Sequence, residues 1–287
     1  LGDKFMESLK GKVAVVTGAS RGVGKGIALG LGEFGATVYV TGRTVKREDA
    51  TVPLPGTISE TAEEVNKIGG KGIPIRCDHR NDIEVKALFD RVLKERGKID
   101  ILVNNAWAGY ENIAKVTKPE EYIFETPFWK QPLSLWDDMQ TVGLRSTYVA
   151  SAFAAPIMIN QNDGLIVNIS YYAGRKHMSN VAYGVCKAAV DRLTADTAFE
   201  LKDHGVTVIS LYPGLVRTES VMRNKGCFDL SNSESPQFIG RCVAALAGDS
   251  NRHSETGKIL IAAEVAQKYG FTDIDGKQPK SLREQLW

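Results

Sequence analysis

The chain has 287 residues, a net charge of +2, and 43% hydrophobic against 24% charged residues. A chain of that length buries roughly three quarters of its unfolded surface, so its core needs neither disulfide staples nor a structural metal. The balanced charge gives no basis for nucleic-acid binding, and the longest apolar run, twelve residues at 148–159 that include Ser151 and Pro156, is too short to span a bilayer.

Residues 1–10 are polar, mixed in charge and without a signal-peptide pattern, and are expected to form an N-terminal extension. From there, β-branched runs alternate with helical segments. Apolar runs fall at 13–17, 37–41, 73–77, 99–103, 165–169, 206–211 and 259–262, and helices are expected near 58–68, 83–95, 136–160 and 182–202. Strands that are apolar on both faces and alternate with long helices predict an α/β fold: one domain over 11–287, with a seven-stranded parallel sheet covered by helices on both faces. The four cysteines, Cys77, Cys186, Cys227 and Cys242, are widely spaced, which suits a reducing compartment and predicts a cytoplasmic protein. No spacing suggests a metal site.

The first strand runs into Thr17-Gly18-Ala19-Ser20-Arg21-Gly22-Val23-Gly24. Residues without a Cβ let backbone N–H groups approach a pyrophosphate at a helix N-terminus. With 28 glycines in the chain the spacing alone equally suits a plain tight turn, but its place between the first strand and the first helix points to dinucleotide binding. No carboxylate stands at 40–44, where an NAD site holds the ribose 2′-hydroxyl. Arg43 at the end of the second strand, with Arg21 in the glycine turn, offers guanidinium forks for a 2′-phosphate, which predicts NADPH over NADH. Two solvated surface arginines are the plainer alternative.

Tyr183 and Lys187 stand four apart at the head of a helical run, on one face. An ammonium 5–6 Å from a phenol favours the phenolate by about 3 kcal/mol, or roughly two pK units, which suits proton transfer near neutrality. The same spacing recurs at Tyr172 and Lys176, but there it encloses Gly174 in a loop. The aromatics Trp107, Tyr110, Tyr122, Phe124, Phe128, Trp129 and Trp136 cluster in one stretch, and read either as a wall over a lipophilic substrate or as subunit packing. The polar stretch 229–237 reads as a mobile lid or as an ordinary surface loop.

Together the TGxxxGxG turn, Asn104-Asn105-Ala106, Tyr183-x-x-x-Lys187 and Pro213-Gly214 resemble the short-chain dehydrogenase/reductase family, over about 11–262. The run 136–145 and the tail 269–276 are similar to the subgroup of dehydrogenase/reductase SDR family member 1 and its bacterial relatives. The resemblance implies a Rossmann sheet and hydride transfer between NADP(H) and a small carbonyl or alcohol substrate. It further implies Tyr183 as general acid/base and Lys187 as the cation that lowers its pKa and holds the nicotinamide ribose. By the same resemblance Gly18, Ser20, Arg21, Gly22, Val23, Gly24, Arg43, Asp78, Asn105, Ala106, Pro213, Gly214, Val216 and Thr218 contact the coenzyme, and the protein assembles as a homodimer or homotetramer.

Two departures stand out. Gly143 occupies the place of a family asparagine in the long central helix. The family serine that orients the substrate oxygen falls on Ser170 when counted back from Tyr183, but on Tyr171 when counted forward from Asn168 and Ile169. These departures leave a second reading open, an NADP-binding redox sensor or scaffold with weak or no catalysis. A third, an epimerase or dehydratase, shares the Tyr–Lys pair but usually carries another glycine spacing.

Overall fold

The computed structural model describes residues 9–109, 125–178 and 180–286. In chain order they form β1 (Val13–Val16), α1 (Gly22–Glu33), β2 (Thr37–Gly42), α2 (Ile58–Lys67), β3 (Lys71–Arg76), α3 (Asp82–Arg96) and β4 (Ile101–Asn104). Next come α4 (Leu133–Asp138), a π-helical segment (Met139–Arg145), α5 (Ser146–Gln161), β5 (Gly164–Ile169), α6 (Val181–Leu201) and β6 (Val206–Tyr212). The chain continues through β7 (Leu215–Val216), α7 (Glu219–Arg223), β8 (Ser233–Glu234), α8 (Pro236–Gly248), β9 (Ile259–Ile261), α9 (Ala262–Tyr269) and α10 (Arg283–Leu286).

Seven strands pair in the order β3-β2-β1-β4-β5-β6-β9, every pair parallel. The central strands are buried along their length and largely apolar because their alternate side chains enter two different cores. Ala14, Val16, Val38, Val40, Ile101, Val103, Leu165 and Val167 pack with α1 and α8 on one face. Val13, Val15, Tyr39, Leu102, Ile166 and Val208 pack with α3, α5 and α6 on the other. Strand order reverses between β1 and β4, and the crevice at such a reversal, outside the carboxyl ends of the strands, is where this topology places ligands.

The glycine-headed α1 lies against α8 at backbone contact. A Cβ on Gly26 would fall 2.0 Å from the Pro236 carbonyl carbon, and one on Gly30 would fall 2.4 Å from that of Gly240. Arg241 on α8 fixes the alignment with a two-pronged pair to Glu33.

Several expectations need correction. Leu9 is fully buried and its N–H donates to Phe34 O, so the globular unit begins before residue 11. The stretch 229–237 is anchored in its second half. Ser233, Glu234 and Ser235 are buried, the first two in β8 and the third as the N-cap of α8, because Ser235 and its N–H bind the buried Asp273 carboxylate. The 148–159 run belongs to a continuous helix, Leu133–Gln161, of 29 residues, long and apolar enough to cross a membrane by length and composition. Its packing is that of a core helix: Val149, Ala150, Ala154 and Met158 are buried, and Arg145 makes a two-pronged pair with Asp82 on α3.

Candidate active site

The glycine turn is braced by the end of β4. Asn105 donates from its side chain to Thr17 O and Gly18 O, both at 3.0 Å, while the N–H groups of Asn105 and Ala106 converge on the Thr17 hydroxyl at 2.9 and 3.0 Å. This approach explains two glycines. A Cβ on Gly18 would stand 2.7 Å from Ala106 Cα, and one on Gly24 would stand 2.3 Å from Asn105 Nδ2. Gly22 takes φ +57° and turns its N–H out at the head of α1, where Glu219 Oε2 accepts it at 2.8 Å. A carboxylate drawn to this N-terminus is the behaviour expected of an anion cradle. Thr218, the N-cap of α7, lies beside it, its methyl 3.5 Å from where a Gly22 Cβ would project. Ser20 and Val23 belong to the same turn, half-buried, and Val216 in β7 is buried.

Arg21 donates to Gly56 O at 3.0 Å and to the Thr44 hydroxyl at 3.4 Å, and Arg43 reaches Thr51 at 3.4 Å. Both guanidinium groups therefore face the loop that follows β2. Asp78, just beyond β3, accepts the Arg80 N–H at 3.0 Å and donates its own to Glu84. On the other side, Pro213-Gly214 follows β6, and the Gly214 N–H donates to Glu234 Oε2 at 2.7 Å. Burial pushes the Glu234 carboxyl up to about 8, against the pull of the Gly214 N–H.

Asn180 caps α6 by accepting the Tyr183 N–H, which sets Tyr183 in the first helical turn above the ends of β4 and β5. The Tyr183 ring is nearly edge-on to Trp107, with centroids 5.3 Å apart at 78°, and lies 6.1 Å from the ring of Tyr171. Lys187 is buried, and its Nζ stands 5.7 Å from the Tyr183 centroid and donates to Ile169 O at 3.0 Å. Desolvation lowers the Lys187 pKa, opposed by the negative potential of Cys186 and Asp191. The alternative pair dissolves: Tyr172 is buried in a 3-10 turn, and Lys176 donates to Gln285 O.

Ser170 and Tyr171 part company. The Ser170 hydroxyl donates to Lys187 O beneath α6 at 3.3 Å and lies within hydrogen-bonding reach of the buried Asp191 carboxyl. Tyr171 shares an apolar surface with Tyr183, Trp107, Met139 and Met178. Burial raises its pKa, as does the nearby Glu234, which keeps the phenol neutral and able to donate.

Of the aromatic stretch, Trp107 alone among the described residues joins this surface. Phe128 and Trp129 are exposed, Trp136 partly so, and Tyr110, Tyr122 and Phe124 lie outside the described residues. Gly143 finds its reason in Trp107, since a Cβ there would fall 2.4 Å from the indole. Sequence reasoning also passed over Glu219, Glu234 and Asp191. Their roles depend on contacts between distant segments, and no local pattern announces them.

A family model, short chain dehydrogenase, matches residues 12–226. Dehydrogenase/reductase SDR family member 1 of Mus musculus is 45% identical over 286 residues, covering 95% of this chain and 86% of that protein. The Homo sapiens protein of that name is 41% identical, covering 94% and 85%. Among solved structures, a short-chain type dehydrogenase/reductase from Mycobacterium marinum superposes with a TM-score of 0.73 at 28% identity, covering 89% of this chain and 95% of that one. A metagenomic short-chain oxidoreductase in complex with NADP gives 0.69 at 31%, covering 88% and 97%. With the family model matched over most of the chain and relatives at 41–45% identity along nearly all of it, the chain belongs to the short-chain dehydrogenase/reductase family and is an oxidoreductase by descent.

Proposed function

We propose that the protein is an NADP(H)-dependent oxidoreductase that interconverts a carbonyl and an alcohol on a small, largely apolar substrate. The observation that carries this reading is the Tyr183–Lys187 pair, buried at the carboxyl ends of β4 and β5 on the same edge of the sheet as the glycine turn.

The coenzyme, when bound, supplies or takes the hydride. Gly18, Ser20, Gly22, Val23, Gly24 and Thr218 would hold its pyrophosphate, and Asp78 its adenine. Asn105, Ala106, Pro213, Gly214 and Val216 would hold the nicotinamide half. Tyr183 gives a proton to the carbonyl oxygen in reduction and recovers it in oxidation. Lys187 favours the phenolate by its charge and reaches toward the ribose. Tyr171 donates a hydrogen bond to the same substrate oxygen, while the Ser170 hydroxyl is engaged by the Lys187 carbonyl. The apolar surface of Trp107, Met139 and Met178 keeps water from that oxygen and fits a lipophilic substrate.

Val181, Val185 and Phe199 project from one exposed face of α6, which suits assembly of two or more copies. The buried thiols Cys77, Cys186 and Cys242 suit the cytoplasm.

NADPH is expected to bind at least about tenfold more tightly than NADH, because each guanidinium–phosphate contact is a charge-assisted pair. A fluorescence titration of both coenzymes checks this, and the double change Arg21→Ala and Arg43→Ala should remove most of the difference. Equal dissociation constants in the unaltered protein would overturn the NADP assignment. NADPH consumption with aldehydes, ketones and quinones tests the chemistry itself. Tight binding without turnover on any of them would favour the sensor or scaffold reading.

Tyr171→Phe is expected to lower kcat about 10²- to 10³-fold, as loss of a single hydrogen bond to the reacting oxygen does. Ser170→Ala should instead lower the melting temperature and leave kcat within about threefold, since it removes only a buried bond beneath α6. The reverse pattern in steady-state kinetics would restore Ser170 as the orienting group.

A further inference from the structure

The indole of Trp107 sits in a socket shaped for it. Ideal Cβ positions on Gly109 and Gly143 would fall 2.7 and 2.4 Å from its ring carbons, and Met139 closes the same space. The π-helical segment Met139–Arg145 carries Gly143 into this contact, and such segments are frequent at functional sites. From this fixed position the ring meets both members of the pair. Lys187 Nζ lies 4.6 Å from the indole centroid, over its face, and the Tyr183 ring packs against it at 78°.

We propose that Trp107 is a positioning residue for catalysis: its indole face holds the Lys187 ammonium in place and charged, while its contact with the Tyr183 ring fixes the direction of the phenol. The inference rests on the oxidoreductase reading and deepens it.

The physical case is direct. Among the described residues no ion pair is formed by Lys187; its ammonium has the Ile169 carbonyl at 3.0 Å, the π face of Trp107 at 4.6 Å and, farther off at 5.7 Å, the Tyr183 ring. Burial works against the charge, and the attraction of an indole face for a desolvated cation, roughly a factor of 5 to 30 in equilibrium, works for it. The other titratable groups turned toward the pair are Cys186 and Asp191 on α6 and Tyr171 after β5, with Glu234 of β8 facing Tyr171. The π-helical segment presents Met139 and Gly143 there, neither of them charged. Without the indole, the ammonium keeps the Ile169 carbonyl and the more distant Tyr183 ring, a smaller share of molecules is protonated, and its field at the phenol weakens.

The test compares Trp107→Leu, Trp107→Phe and Gly143→Ala with the unaltered protein and with Tyr183→Phe. In alcohol oxidation, Trp107→Leu is expected to move the acidic limb of kcat upward by about 0.5 to 1 pH unit. It should lower kcat at pH 7 by about three- to tenfold and leave the KM for NADP within about twofold. Trp107→Phe, which keeps an aromatic face, should recover more than half of the shift. Gly143→Ala displaces the ring without altering it, and should shift the limb in the same direction even if Trp107→Leu folds poorly. An ultraviolet difference titration of the coenzyme-free proteins, with Tyr183→Phe as the subtraction, reads the same displacement at the phenol without turnover. A uniform loss of rate at every pH with an unchanged titration would overturn the proposal. Full activity in Tyr183→Phe would overturn the catalytic reading instead, and the titration would still report whether Trp107 acts on Tyr183.

Discussion

Replacing Tyr183 by Phe is expected to lower kcat by about 10²- to 10⁴-fold, the range that a positioned general acid contributes. The change removes one oxygen and keeps the ring. Among the contacts of Tyr183 are its ring, edge-on to Trp107 and tilted against Tyr171, and its backbone N–H, which Asn180 accepts. Phenylalanine keeps all three contacts. The glycine turn is a separate element, held by Asn105 and Ala106, so NADPH affinity should stay within about threefold. Steady-state turnover, coenzyme titration and a thermal melt on the same preparation separate the three quantities. Activity within tenfold of the unaltered protein, with affinity and melting temperature intact, would remove Tyr183 from the chemistry.

The largest stability effect is expected on the acid side and belongs to His79. This residue is buried just past β3, with Nε2 2.9 Å from the Thr41 hydroxyl and Nδ1 3.9 Å from Cys77 Sγ. Desolvation pulls its pKa down to about 4, against attraction from Asp78 and Glu84. Above pH 6.5 the imidazole is neutral in the folded and unfolded chains, and its titration contributes nothing to pH dependence. Between 6.5 and 4 the unfolded chain takes up a proton that the folded one refuses, so stability falls across that window and levels off below it. The span corresponds to a loss of about 3 kcal/mol by pH 4. His79→Gln keeps a hydrogen-bonding group near Thr41 and removes the titration. Urea unfolding at pH 7 and pH 4.5 should show the unaltered protein losing about 2 to 3 kcal/mol more than the variant between the two conditions. Parallel losses would show that other groups carry the acid limb.

The five inner strands were legible because a parallel strand covered on both sides is largely apolar at successive positions, which a linear sequence displays without any knowledge of partners, whereas β3 and β9 at the edges are less covered. The glycine turn was legible because its place between β1 and α1 is itself a local pattern. The helix α8 offered equally local signals that were passed over: Ser235 as N-cap, Pro236 in the first turn, and the apolar set Phe238, Ile239, Cys242, Val243 and Leu246. Other features were out of reach. Whether Ser170 or Tyr171 faces the site depends on how the loop leaves β5 and on the Lys187 carbonyl seventeen residues away. Gly143 reads as a missing asparagine until the ring of Trp107 is seen in the space. The contact of Glu219 with Gly22 joins residues 197 apart. Periodicity reports which face a residue belongs to, and these features depend on what the opposite face brings.

The backbone contact between α1 and α8 has a mechanical consequence. Helices that meet through Gly26, Gly30, Pro236 and Gly240 have no side-chain cushion to compress, so they translate together or not at all. One of these helices begins at the glycine turn. The other begins directly after β8, whose Glu234 grips Gly214. The two banks of the crevice are thus joined at their roots, and a change in its width would fall on the span between the two short strands, where the contact of Glu219 with Gly22 is the clip that has to open.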